Sequence, residues 1–117
     1  MNAYLAKLVY RIICGNGDHT PQFDEQLRLI YACNETDAIN KACETGRKEE
    51  HSFVNNNHNL VAWKFIDISE LISIEEYADG AEVFSIIKEP IDAELYIQYV
   101  HQKSKTLSTA ACKFANT

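Results

Sequence analysis

Two runs that alternate with a period of two, joined by a stretch built for a turn, constrain this chain more than any other feature. Residues 3–14 read AYLAKLVYRIIC. Alternation puts Tyr4, Ala6, Leu8, Tyr10 and Ile12 on one face of a strand, and Leu5, Lys7, Val9, Arg11 and Ile13 on the other. The first face reads as core; the second mixes apolar residues with two cations. GNGDHTP at 15–21 is a turn, because Gly, Asn and Asp tolerate positive φ and Pro fixes its own. FDEQLRLIYAC at 23–33 then alternates again, and the expectation is that Leu27, Leu29 and Tyr31 point inward. Two such runs around one turn predict a β-hairpin.

The segment after the hairpin reads as a helix. Asn34 is a good N-cap, and Glu35 and Asp37 fall in the first turn, where the helix dipole favours negative charge. Ala38, Ile39, Ala42, Cys43 and Gly46 keep the three-and-four spacing of one buried face. This predicts a helix docking Ala38, Ile39, Ala42 and Cys43 on the strands carrying Leu8 and Leu29. Its phase either ends at Gly46 or runs on through Glu50 to Phe53, before NNNHN at 55–59 stops it. Residues 60–71 read as a third strand with Val61, Trp63 and Phe65 on one side. Residues 69–80 are a loop with a helical turn, and AEVFSIIKE at 81–89 is a fourth strand. Asp92 can cap a last helix over 93–105, although LYIQYV also has strand propensity. The tail at 106–117 shows no period. The order β-β-α-β-β-α predicts an α+β fold: a two-layer, mostly antiparallel sheet of about four strands with one helix packed on it and a C-terminal helix.

Composition sets the outer limits. At 117 residues the chain is expected to form a single domain with its core in 3–105, and 46% hydrophobic against 24% charged residues is the balance of a globular protein. No apolar run approaches the ~20 residues of a membrane span. The first residues alternate and carry Lys7 and Arg11, which is a strand and not a signal peptide. The expected location is the cytoplasm, with no membrane partner. A net charge of −6 with thinly spread cations argues against nucleic acid, because a phosphate-tracking surface needs clustered Lys and Arg.

The four cysteines and four histidines stand singly, without the paired spacing of a zinc site, so no metal or cofactor is expected. A reducing compartment argues against disulfides. Geometry agrees, because a helix from Asn34 would carry Cys43 roughly 14 Å along its axis from Cys33. Cys33 and Cys43 read as small buried hydrophobes. There is no nucleophile elbow and no phosphate-cradling glycine loop, so no catalytic residue is assigned. The paired acids Glu49–Glu50 and Glu75–Glu76 read as solvated charge. Glu82 is more curious, because it shares a strand face with Phe84 and Ile86. Lys7, Arg11 and Lys64 are strand cations that could pair with it, and these four residues form the candidate ligand-binding set. A structural ion pair is the plainer reading of the same four.

Taken in order, YLAKLVY, LIYACNETDAINKA, WKFIDISEL and DGAEVFS resemble a small bacterial domain-of-unknown-function family, number 4288, over about residues 3–88. The C-terminal helix and tail lie outside that resemblance. It implies a compact α+β domain and no activity. Trp63, Phe65, Gly80, Glu82 and Ser85 match the family's recurrent positions, and none is thereby catalytic.

Three functional classes are weighed, two of them ahead of the third. The first is a non-enzymatic binding or interaction protein, expected to be a homodimer, with a regulatory or immunity-type protein partner as one form of it. It rests on the lack of a catalytic constellation and on apolar residues at both faces of the first strands, of which a single helix layer covers only one. The second is a small-molecule-binding domain or minor enzyme with its site on the open sheet face. RNA binding through sheet aromatics comes third, and the charge balance tells against it.

Overall fold

The computed structural model describes residues 1–75 and 78–107. By its internal contacts the chain divides into two units, Met1–Ser85 and Ile86–Thr117. In the first unit, strands β1 (Asn2–Cys14), β2 (Gln22–Ala32), β3 (His51–Val54) and β4 (Leu60–Ile74) form one sheet, and helix α1 (Glu35–Lys48) lies between β2 and β3 in the chain. The sheet order is β2-β1-β4-β3, antiparallel throughout. This is an α+β fold.

The hairpin forms as its sequence requires. Gly15 and Gly17 take positive φ, 60° and 84°, in the turn. The Cys14 backbone N–H donates to His19 Nε2 at 2.9 Å, and His19 Nδ1 lies 2.8 Å from the Thr20 carbonyl, so the imidazole is spent on holding the turn. Pairing sets even-numbered residues of β1 against even-numbered residues of β2, Tyr4 with Ile30 and Leu8 with Gln26. That register decides the faces. Tyr4, Ala6, Leu8 and Tyr10 are buried with Ile30 and Ala32 under α1. Leu27, Leu29 and Tyr31, expected inward, share the opposite, open face with Leu5 and Lys7. A one-residue difference in parity reverses every side chain of a strand, and alternation alone does not say which parity meets the helix.

Helix α1 begins where the Asn34 side chain accepts the Asp37 backbone N–H at 2.8 Å. It buries Ala38, Ala42 and Gly46, one residue per turn and all small, which brings its backbone close to the sheet. Ile39 is 38% exposed, so it does not anchor the packing. Cys43 is partly buried and Cys33, just past the end of β2, is exposed; Cys33 is therefore not a core thiol. Cys14, Cys33 and Cys43 are all free; Cys112 lies outside the described residues.

The second half differs from the expected elements in three places: β3 is added, 81–89 is not a strand, and 69–74, expected in a loop with a helical turn, continues β4. Neither a loop nor an extended helix phase accounts for β3, a four-residue strand paired His51 with Trp63 through Val54 with Leu60. NNNHN is the turn between β3 and β4: Asn55 Oδ1 accepts the N–H groups of Asn57 and Asn59, and His58 takes φ 64°. Residues 81–89, expected as a strand, form no regular element. The count of four strands holds because β3 takes the place of 81–89. Strand β4 runs to Ile74, with irregularities opposite Lys7/Leu8 and Val9/Tyr10. These place both Ile68 and Leu71 against the helix-side core, which explains the broken alternation of 66–71.

In the second unit, α2 (Ala93–Leu107) starts with Asp92 Oδ1 accepting the Leu95 N–H at 3.1 Å and has no buried residue. The expected C-terminal helix is present. The tail beyond Leu107 lies outside the described residues.

Candidate functional site

The open face is built from the odd residues of the hairpin and their partners on β4. Lys7 sits at its centre. Its ammonium lies 3.3 Å from Glu25 Oε1 and 3.2 Å from Glu70 Oε2, one acid from each neighbouring strand. Its side chain is only 23% exposed, and the Phe84 ring lies 6.0 Å from the ammonium. Glu70, then Glu25, hold the Lys7 pKa above its ordinary value. Glu70 Oε2 is buried and has no aligned hydrogen bond, so its contact with Lys7 is an ion pair.

The other three candidates lie apart from that pair. Arg11 and Lys64 are direct partners in the β1–β4 register, two like charges on one face, and the Arg11 guanidinium lies 5.8 Å from the Phe23 ring. Glu82 is exposed and, with Ile72, Ser73, Val83, Phe84 and Ser85, lines a shallow depression of about 310 Å³. Among the described residues Glu82 forms no ion pair with any of the three cations. Lys7 is thus neutralised by two acids that alternation and spacing do not single out, and only Arg11 and Lys64 are brought together.

Between Lys7 and the edge of the sheet runs an apolar row. Leu27, Leu29 and Tyr31 follow one another along this face of β2, with Phe23 beyond Glu25, and the four apolar side chains are each 49–54% exposed. Leu5, Val9 and Ile72 beside them are partly covered. The row was legible as alternation; its outward direction was not.

The helix side of β2 holds the feature that sequence reasoning missed. Trp63 Nε1–H donates to Asp24 Oδ2 at 3.1 Å, and Gln26 donates to the same oxygen at 2.7 Å. Arg28 donates to Gln26 Oε1 at 2.7 and 3.1 Å and pairs with Glu49 at 2.8 Å. Trp63 stacks on His51 at 4.7 Å and on Phe53 at 5.9 Å. This chain of contacts ties the end of α1 to the hairpin and to β3. The D-x-Q-x-R spacing of Asp24, Gln26 and Arg28 on one strand face was its one sequence signal. No thiol or hydroxyl in it is activated by a base. Among the described residues no group of three or more His, Cys, Asp or Glu could hold a metal ion, and no helix is long and apolar enough to cross a membrane.

The family profile described as Domain of unknown function (DUF4288) matches residues 3–85. The chain belongs to that family. The match spans the whole hairpin, α1, β3, β4 and the segment that lines the Glu82 depression, and it stops before α2. No curated protein and no solved structure matches the chain.

Proposed function

We propose that this DUF4288 domain is a non-enzymatic interaction module that associates through the open side of its sheet, first with a second copy of itself. The observation behind this reading is the row Phe23, Leu27, Leu29 and Tyr31, four large apolar side chains on one strand face, each about half in water. Leu27, Leu29 and Tyr31 are consecutive on that face, with Phe23 set beyond Glu25, and clustered exposed apolar side chains of this kind on a small domain mark an interaction site more often than chance exposure does. A regulatory or immunity-type partner would use the same surface, and the acidic charge suits a basic protein. We take the cytoplasm as its place of action, where free thiols stay reduced.

Sedimentation velocity over a micromolar concentration range tests the reading. A reversible dimer is the expected result. A monomer at every concentration overturns self-association.

The like-charged neighbours Arg11 and Lys64 favour a second reading, in which the open face holds an acidic small molecule. Calorimetric titration with inorganic phosphate addresses it. Binding that disappears in Arg11→Gln supports this reading, and no heat of binding removes it.

A further inference from the structure

Strand β2 is an edge: among the described residues it pairs with β1 alone. Edge strands of monomers are ordinarily shortened, bulged or interrupted by Pro or Lys, because their free N–H and C=O groups template pairing with another chain. Residues 22–32 contain no Pro, Gly or Lys, and their register with β1 is unbroken. Among the described residues the edge is closed only at its ends. Pro21, with no N–H, precedes it, and at the far end Lys41 Nζ donates to the Tyr31 carbonyl at 2.9 Å. The free stretch is therefore 22–30, and its midpoint is Gln26.

We propose that two copies join edge to edge through β2, antiparallel and centred on Gln26, extending the two four-stranded sheets into one. This rests on the self-association proposed above but moves the contact from the open face to the β2 edge. About a two-fold axis at Gln26, Asp24 of one copy faces Arg28 of the other, twice. Charges on the helix side of an edge strand ordinarily repel a second copy; here their signs are opposite and symmetric, so they attract. On the open face Phe23 meets Leu29 of the second copy, again twice, and cross-strand apolar pairs of this kind are the unit of sheet stabilisation. Glu25 meets Leu27, and the Glu25 side chain is long enough to keep its carboxylate on Lys7 of its own copy. Pro21 falls opposite Tyr31 of the second copy, whose carbonyl Lys41 already holds, so a residue without a donor meets an acceptor that needs none. A two-fold contact must be self-complementary, and this stretch is.

Hydrogen exchange on the unmodified protein, read alongside sedimentation, tests the geometry. The expected result is protection of amides in 22–30 that rises with concentration as the dimer forms, while the opposite edge, β3, stays unchanged. A sedimenting dimer whose β2 amides exchange alike at low and high concentration overturns edge pairing and leaves association through the open face standing. A monomer throughout overturns both. Register is read by oxidative cross-linking in a Cys33→Ser, Cys112→Ser background. Gln26→Cys should link to its twin at least tenfold faster than Leu29→Cys, which faces residue 23 of the other copy. The reverse order overturns the Gln26 centre.

Discussion

Gly46 of α1 lies directly against the ring of Phe65 on β4, so close that a methyl group at 46 would overlap three ring carbons. The glycine is there for close approach and not for its backbone, since it sits inside a regular helix. Tyr10 completes the contact: its ring meets Phe65 edge to face at 5.6 Å, and its hydroxyl donates to the Gly46 carbonyl at 2.9 Å.

Gly46→Ala should destabilise the domain even though alanine favours an exposed helix by about 1 kcal/mol over glycine. Overpacking a tight contact typically costs roughly 1–3 kcal/mol, and the ring cannot move without disturbing Tyr10. Urea unfolding followed by the fluorescence of Trp63, the sole tryptophan, measures the difference. A variant more stable than the wild type would show that Phe65 yields freely.

Tyr10→Phe removes the buried hydroxyl that satisfies the Gly46 carbonyl, at a cost of about 1 kcal/mol near neutral pH. It also changes the alkaline limb. Burial raises the Tyr10 phenol above its ordinary value, with Glu49, Glu50 and Asp24 adding to the shift and Arg28 opposing it. The unfolded chain ionises at roughly pH 10, before the folded one does. Stability is therefore intact below that pH and falls as pH rises toward the folded value. The phenylalanine variant should lack this part of the alkaline loss. Denaturation midpoints at stepped pH compare the two proteins.

The Arg28–Glu49 pair gives the acid counterpart. Its hydrogen bond to Arg28 lowers the Glu49 pKa, partly offset by desolvation. The pair's contribution is present above the unfolded value of about 4.3 and is lost as pH falls through the lowered folded value. Glu49→Gln should be less stable than wild type at neutral pH and should converge with it in strong acid. Parallel curves with a constant gap at all pH values would exclude the ion pair as the cause.

How far the sequence was legible depends on the residues in question. The hairpin, the Asn34 cap and α1 rest on local chemistry, namely glycine φ, side-chain capping and small-residue spacing, and all were readable. The direction of Leu27, Leu29 and Tyr31 depends on which parity meets the helix, and hairpin alternation leaves that open. The sequence around β3 offers only HSFV between acidic and asparagine-rich stretches; His51 and Phe53 become strand residues because Trp63 gives them a ring to stack on. Residues 81–89 alternate enough to read as a strand but pair with none. For the candidate site, the strand cations were expected to pair with Glu82, whereas Lys7 pairs with Glu25 and Glu70. Glu25 and Glu70 come from strands on either side, and only the register brings them together.

Helix spacing and helix packing name different anchors for α1. Read from spacing, Ile39 should be the anchor of α1, and its truncation should cost about 2–5 kcal/mol, as for a buried isoleucine. Yet Ile39 is 38% exposed, whereas Ala38 and Ala42 are fully buried. A half-exposed side chain loses far less on truncation, so Ile39→Ala should cost about 1 kcal/mol, partly returned by the better helix propensity of alanine. Ala42→Leu should be the damaging change, because it forces three extra carbons between α1 and a sheet that the helix approaches through small residues alone, at roughly 1–3 kcal/mol or more. Circular dichroism melts of the two variants decide the matter. If Ile39→Ala melts lower than Ala42→Leu, the helix is held by its rim and not by close approach at Ala38, Ala42 and Gly46. If Ala42→Leu melts lower, the small-residue face is what seats α1 on the hairpin.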